Sequence, residues 1–584
     1  MNFASLRAAR QLGWLPVALN GLYQIGLKTG IFRLLLPPRA RTTPLARIFP
    51  VSTTVPRDDP FPEAEEILSG KIRLFGGDLV PVRLAPSAPL RHWTAYESLP
   101  GASDIKLIWE PARFGFVFPL GRAFQRSNDE RYAAAFWRYF EEFESANPPY
   151  SGENWMSGQE AGLRLMAFCY AGQLFAPAKE ASTLERMRRL SASIAAHAER
   201  LPATLLYARA QNNNHLLTEA AALYTAARAL PTHPRAAQWH KLGKKWLNWC
   251  FANQFDEDGE YIQHSSNYQR LALQTALWVF TIAPSQFDAY RPTLARAARW
   301  LEHHTDPLSG HACNLGANDG ANIFPATSAP FDDFRPALNA ARKQWAAGSE
   351  QSSAPQPAAW HHLRVKRYTS RPSHADHLHL DLWLNGLYLT LDPGTFSYNA
   401  APPWDNALTT ALVHNTLTVD DLDQMTRAGR FLYLDWGASR WLDDQTAESD
   451  AYARLGVIHR RRVESLPDGW RVRDEALFTR PGVPHQLRLH WLLADLPWQF
   501  SLLENGAALT LQALFGAIAI KIQADFPAQV SLFRAGESLL TAAPADPIRG
   551  WFSPTYTAKI PALSLALTGQ CDHSAAFITT VERG

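Results

Sequence analysis

Residues 370–424 read SRPSHADHLHLDLWLNGLYLTLDPGTFSYNAAPPWDNALTTALVHNTLTVDDLDQ. Two strand-like runs meet here at Asn385-Gly386, a pair that accepts the positive φ angles of a tight hairpin turn. His374 precedes the first strand, Asp392 ends the second, and His414 opens the next. A hairpin brings residues distant in sequence within a few ångströms of each other, so these three can converge. Imidazole nitrogen and carboxylate oxygen suit a divalent metal such as zinc, which takes three protein ligands when one position stays open. Ordinary polar residues at strand ends would give the same spacing. No short CxxC or HExxH motif decides between the two.

Outward from this stretch, residues 360–584 keep a period of two, as in HLRVKRYTS, RFLYLDWG, DGWRVRDEALF, HQLRLHWLLA and AIAIKIQAD. Turn signals recur about every 8–12 residues, which predicts an antiparallel β-sandwich. Upstream the period changes. From about 122 to 305, segments such as AAAFWRYFEEFESA, GQEAGLRLMAFCYAGQLF, EASTLERMRRLSASIAAHAERL and HLLTEAAALYTAARAL carry apolar residues at three- and four-residue spacing. Short loops between helices imply antiparallel neighbours. Seven or more such elements predict an α/α solenoid or toroid, and one large irregular bundle would give the same pattern.

The expected class is therefore multidomain α+β, an N-terminal (α/α) toroid followed by a C-terminal antiparallel β-sandwich. The division is a helical and mixed extension over 1–120, the toroid over 121–347, a linker GSEQSSAPQPAA over 348–359, and the sandwich over 360–584. A cleft between two such domains is the default place for an active site. The 584 residues exceed what one core organises.

The formal net charge is +3 and no Lys/Arg tract is present, so the chain lacks a nucleic-acid footprint. An anionic ligand stays open, because a local field outweighs the total. Cys169, Cys250, Cys313 and Cys571 are scattered and read as buried thiols. The first 30 residues hold basic side chains and then an apolar run broken by Asn20, Gln24 and Lys28. They predict an amphipathic helix packed on the body, without a clear cleavable signal, and leave cytoplasmic and periplasmic locations both open. No run is long enough to predict a membrane span.

Two stretches of the helical half stand out chemically. Gln211-Asn212-Asn213-Asn214-His215 leads straight into a helix. One Asn can cap that helix. The other amides, together with the helix N-terminus, could grip an anion such as a sugar carboxylate. A polar turn with a cap is the plainer alternative. The second stretch, DEDGEYIQHSSNY over 256–268, presents Glu260, His264, Asn267 and Tyr268 between two helices. Tyr268 starts an apolar helix, where a tyrosine serves either the core or chemistry.

The Asn214-His215 pair, the loop ending in Tyr268, and the motifs SHADHLHLDLWLNG, LDPGTFSYN and HNTLTVD together resemble the heparinase II/III-like family of polysaccharide lyases, which includes heparinases and exolytic alginate lyases. The resemblance spans roughly 90–584. It implies β-elimination beside a uronic acid in an anionic polysaccharide. Asn214 and His215 match the residues that neutralise the carboxylate; Tyr268 matches the acid to the leaving oxygen, which in some members is also the base, with His215 as the alternative base. The same resemblance implies structural zinc on His374, Asp392 and His414, with Asn415 and Gln424 on the same face. Asn213, Glu260, His264 and Asp319 are candidate sugar contacts. Arg122, Trp155, Glu160 and Arg164 resemble positions at the inner end of the toroid.

One position departs from the pattern. Many relatives carry a His two residues before the one matched by His374, and here that residue is Pro372. Arg371, His379 or Tyr398 would then supply the missing group. A glycoside hydrolase using Glu260 with Asp319, and a non-catalytic glycan-binding protein of exopolysaccharide metabolism, are the rival readings.

Overall fold

The structure is a computed structural model that describes residues 3–36, 42–50, 59–96, 104–319, 322–325, 327–345, 358–540 and 545–584. The linker expected over 348–359 falls outside the described residues except at its end, where the strand Ala359–Leu363 begins.

The chain divides into two compact units. The first holds residues 1–262, 268–302 and 320–350 and is the (α/α) toroid-type array of helices. The extension expected over 1–120 belongs to it rather than standing apart. Its longest helix, Leu184–Gln211, runs straight through Pro202, where sequence pattern alone ends it at Leu201. A proline costs the helix one hydrogen bond. Burial of Leu201, Ala203, Leu205 and Ala208 around it offsets that loss. Helices Asn214–Ala229 and Ala236–Asn253 approach closely because residue 243 is glycine. A Cβ there would lie 2.7 Å from the Tyr224 nitrogen.

The second unit holds residues 351–584 and takes two further segments, 263–267 and 303–319, out of the helical half of the sequence. It contains two eight-stranded antiparallel sheets. One runs in the order Trp498–Leu503, Gly506–Ala513, Gly516–Ala524, Ala575–Arg583, Gly469–Phe478, Val457–Leu466, Thr446–Ser449, Ser439–Trp441. The other is centred on His485–Leu493, with Leu563–Cys571, Leu387–Thr390 and Leu417–Val419 as its neighbours. Inward side chains of both sheets share one apolar core, with Leu382, Leu489 and Leu565 from one and Val472, Ile520 and Phe577 from the other. That is the packing of a β-sandwich.

The Asn385-Gly386 turn closes as expected. Both residues have positive φ, 50° and 82°, and Leu384 pairs with Leu387 across it. Trp383 and Tyr388 stack across the hairpin at 4.2 Å between ring centroids, and Trp360 stacks on Trp383 from the next strand. Cross-strand aromatic pairs of this kind pin the register of the pairing.

Candidate active site and metal centre

In the helical unit the four polar residues before His215 have separate tasks. Asn212 ends the Leu184–Gln211 helix in the left-handed region, at φ 46°. Asn213 is the N-cap of the next helix, and its Oδ1 accepts the His215 backbone N–H at 3.1 Å. Its expected role as a sugar contact therefore competes with this cap for the oxygen. Asn214, the first helical residue, is buried, and His215 is half-buried with its ring edge-on to Tyr207.

A hydrogen-bonded chain links this turn to the start of the Tyr268 helix. Gln254 Nε2 donates to Asn212 Oδ1 and to the Asn213 carbonyl, at 3.2 and 3.1 Å. Gln254 Oε1 accepts the Tyr261 hydroxyl at 3.3 Å. The Tyr261 N–H donates to Gln269 Oε1 at 2.6 Å, and Gln269 Nε2 donates to the Gly259 and Ala297 carbonyls. Gln269 is the neighbour of Tyr268, itself buried in the helix Ser266–Ile282. The turn at Asn213 and the start of the helix at Ser266, more than 50 residues apart in sequence, are thus held in fixed register. Sequence reasoning missed Gln254 and Gln269, because a lone Gln on a helix carries no signal of its partner.

It also missed Glu219. This carboxyl is fully buried one helical turn after His215, with Oε1 3.9 Å from the imidazole Nδ1. Thr204 Oγ1 lies 3.3 Å from its other oxygen, and Arg200 holds Thr204 from behind at 3.2 Å. Gly158 leaves room for the carboxyl, since a Cβ there would lie 2.6 Å from Glu219 Oε1. The i, i+4 spacing was the available signal.

Burial pushes the Glu219 carboxyl up to about 8 from its ordinary 4.5, against the pull of Arg200 and Thr204. The folded state therefore keeps a proton that the unfolded chain releases near pH 4.5. The stability this proton contributes is complete below that pH and is lost as pH rises through about 8. Glu219→Gln stays neutral throughout. Its stability relative to the parent is expected to rise between about pH 5 and pH 8 by a few kcal/mol, at about 1.4 kcal/mol per pKa unit. Denaturant melts of both proteins at the two pH values measure it.

In the β unit, His374, Asp392 and His414 come together, all fully buried. His374 Nδ1 lies 3.2 Å from His414 Nε2, and Asp392 Oδ1 lies 3.9 and 3.7 Å from these two atoms. A triangle with those sides has a circumradius of about 2.1 Å, within the 2.0–2.2 Å range of metal–nitrogen and metal–oxygen bonds. His414 Nδ1 faces the Thr410 carbonyl at 2.8 Å, which fixes the tautomer leaving an Nε2 lone pair toward the triangle. Burial pushes His374 down to about 4 and His414 well below its ordinary range, so both rings are neutral and fit to ligate. Burial pushes Asp392 up to about 8, and its Oδ2 has no hydrogen-bond partner. A buried carboxyl left this way is what a bound cation would satisfy. The donor set fits a metal ion.

Several expected residues turn out to be structural. Asn415 Nδ2 bonds the Leu380 and Leu391 carbonyls, and its Oδ1 accepts the Leu492 N–H. Gln424 pairs with the backbone of His377. His379 is not placed as a base, because Asp381 holds Nε2 at 3.2 Å and the Asn415 N–H occupies Nδ1 at 3.0 Å. Arg164 spends its guanidinium on the Ala112 and Asn154 carbonyls and His197. Arg122 bonds the Pro325 carbonyl and Glu63, and Glu160 is held by Arg113. Trp155 is core, with its ring against His197.

The remaining candidate contacts are placed as follows. Glu260 is buried in the loop closed by Asp256, whose Oδ1 accepts its N–H at 2.8 Å. His264 has a left-handed backbone, φ 53°, and its Nε2 lies 3.0 Å from Ser370 Oγ. Arg371 is half-buried, and Pro372 and Asp319 are buried. Tyr398 is buried with its ring against Phe431 and Tyr556.

The chain thus combines a helical array with a following β-sandwich, an Asn-His helix start and a buried His-Asp-His cluster. Two family models match, Heparinase II/III N-terminus over residues 92–288 and Heparinase II/III-like, C-terminal over residues 364–578. The chain belongs to the heparinase II/III-like family. Among solved structures it is similar to a heparinase III, at 15% identity and TM-score 0.65, covering 97% of this chain and 89% of that one. It is similar to a second heparinase III structure, at 17% identity and TM-score 0.54, covering 97% and 90%. It is also similar to a mutant of the heparan sulfate lyase HepC from Pedobacter heparinus, at 16% identity and TM-score 0.52, covering 99% and 91%. At these identities the likeness speaks for the fold. No curated protein matches the chain.

Proposed function

We propose that this protein is a polysaccharide lyase that cleaves a uronate-containing glycan by β-elimination. The observation that carries the proposal is the hydrogen-bonded chain Asn213–Gln254–Tyr261–Gln269, which ties the start of the Asn214-His215 helix to the residue beside Tyr268. The proton on C5 of a uronate is weakly acidic while the adjacent carboxylate keeps its charge. Asn214, at a helix N-terminus, donates to that carboxylate and stabilises the charge that develops as the proton leaves. His215 accepts the C5 proton through its imidazole, whose ordinary pKa lies near neutrality. Tyr268 gives its phenolic proton to the departing O4 as the C4–O bond breaks and the C4–C5 double bond forms. Each step uses a group held by the helical unit.

The similar structures are a heparinase and a heparan sulfate lyase, which supports an anionic polysaccharide as the substrate class. The modest charge of +3 favours an unsulfated polymer over a heavily sulfated one. Asn213, Glu260, His264, Asp319, Arg371 and Tyr398 are proposed sugar contacts. Zinc is the proposed ion for His374, Asp392 and His414, where a divalent cation would neutralise the buried carboxyl and stiffen the β unit.

The test is ultraviolet absorbance during incubation with alginate, heparan-type, hyaluronan-type and bacterial exopolysaccharide polymers. β-Elimination leaves a conjugated unsaturated uronate, so absorbance is expected to rise with one member of the panel. New reducing ends without that absorbance would replace the proposal with hydrolysis. Binding with neither signal would replace it with a non-catalytic glycan-binding role.

A further inference from the structure

The Trp14–Thr29 helix has two apolar faces, and the body of the protein uses only one. Leu19, Tyr23 and Gly26 point inward, and Tyr23 packs in a cluster with Phe32, Trp93, Tyr150 and Trp155. At about 100° per residue, Trp14, Ile25, Ala18, Thr29, Leu22 and Leu15 fall in that order on one contiguous arc about 100° wide. This arc is exposed. Trp14 is 61% accessible, Leu15 64%, Leu22 54% and Ile25 58%. Its one hydroxyl, on Thr29, donates to the Ile25 carbonyl at 2.9 Å, which leaves the Trp14 indole N–H as the strip's other side-chain donor, a group suited to the headgroup level of a lipid interface. Asn20, Gln24 and Lys28 border it on the side away from the core. Gly30 ends the helix in the left-handed region, and Ile31, Leu34 and Leu35, just beyond, are exposed as well.

The sequence around this helix carries charge of one sign. Residues 1–57 contain eight Lys and Arg and no Asp or Glu. Of these, Arg10, Lys28 and Arg33 are exposed beside the strip's own helix. Among the described residues no helix is long and apolar enough to cross a membrane. An exposed strip of Trp, Leu and Ile flanked by cations is the composition of a helix that lies in a lipid interface, with aromatic and aliphatic groups at the acyl boundary and cations among the headgroups.

We propose that the Trp14–Thr29 helix docks this protein on an anionic phospholipid surface, its inward face fixed to the helical unit and its outward face resting in the interface. Two features select lipid over a protein partner. The strip is almost wholly apolar, its side-chain donors being one indole N–H and one hydroxyl already bonded within the helix, and the exposed cations Arg10, Lys28 and Arg33 are complementary to anionic headgroups but repel a second copy of the same face.

The full-length protein is sedimented with vesicles of phosphatidylcholine alone and of phosphatidylcholine with phosphatidylglycerol, at low and physiological salt. It is expected to pellet with the anionic vesicles, less so as salt rises. The combined variant Trp14→Glu, Leu22→Glu, Ile25→Glu alters exposed side chains only, and is expected to keep its melting temperature while losing partitioning about tenfold or more. Lys28→Glu with Arg10→Glu is expected to weaken binding to anionic vesicles and leave the phosphatidylcholine control unchanged. No pelleting with anionic vesicles, pelleting that survives the triple variant, or a dimer that the triple variant dissolves without any vesicle binding would each overturn the proposal. None of these readouts depends on glycan cleavage.

Discussion

Tyr268→Phe is expected to lower the rate of unsaturated-product formation by about 10²- to 10⁴-fold, the usual contribution of a positioned acid or base. The ring is buried in the helix Ser266–Ile282, so removing the hydroxyl leaves its packing and the helix intact. Melting temperature and polymer binding should therefore stay near the parent values. Asn214→Ala is expected to cost about 10²- to 10³-fold, as for loss of one donor to a developing charge. The two act on different atoms. Tyr268→Phe affects departure of O4, so substrates with a better leaving group at C4 should regain rate with Tyr268→Phe and not with Asn214→Ala. Full activity in the Tyr268→Phe protein would remove Tyr268 from the reaction, and His215→Ala would then be read for both proton transfers.

The second large effect is on stability. With a cation in the cluster, Asp392→Ala is expected to destabilise the β unit by about 3–5 kcal/mol, the cost of removing one partner from a buried charged group. Its Oδ1 accepts the Gly394 N–H at 2.9 Å and lies within 4 Å of both His374 and His414. Truncation leaves that N–H without its acceptor and takes the one carboxylate oxygen out of the His-Asp-His triangle. Asp392→Asn keeps an oxygen for Gly394 but removes the negative charge, so it separates the hydrogen bond from the metal. If a cation occupies the cluster, Asp392→Asn loses it, elemental analysis falls from about one ion per chain to none, and the melting temperature drops almost as far as in Asp392→Ala. A chelator then lowers the melting temperature of the parent and leaves Asp392→Asn unchanged. If the parent carries no ion and ignores the chelator, His374 and His414 are a hydrogen-bonded imidazole pair, and Asp392→Asn stays close to the parent.

The order of elements was legible in the sequence because it is a local property. A 3.6-residue apolar period and a two-residue period each come from the backbone's own geometry. The change between them near residue 360 therefore announced helices followed by sheets. The Asn385-Gly386 turn was legible for the same reason, since few residue pairs accept two positive φ angles. With the hairpin placed, His374, Asp392 and His414 were able to converge, and the family resemblance, not the spacing, marked them as a ligand set.

What the tertiary structure alone decided are choices of partner. Four polar residues before His215 looked equivalent in sequence. Only the positions of the two flanking helices assign Asn212 to one terminus and Asn213 to the next, with Asn214 buried as the first helical residue and His215 half-buried after it. Pro202 reads as a helix end until the buried residues around it are seen. Residues 303–319 lie between two helices in sequence, but they join the β unit. There Asn314 Nδ2 bonds the Ser553 carbonyl and Asn318 Nδ2 bonds the Pro554 carbonyl, partners more than 230 residues away. Glu219 and Gln254 carry no signal as single residues, because burial and hydrogen bonding depend on which helices become neighbours. The exposed side of the Trp14–Thr29 helix is the converse case. Its apolar residues predict packing, and only the fold shows that the core had room for one face.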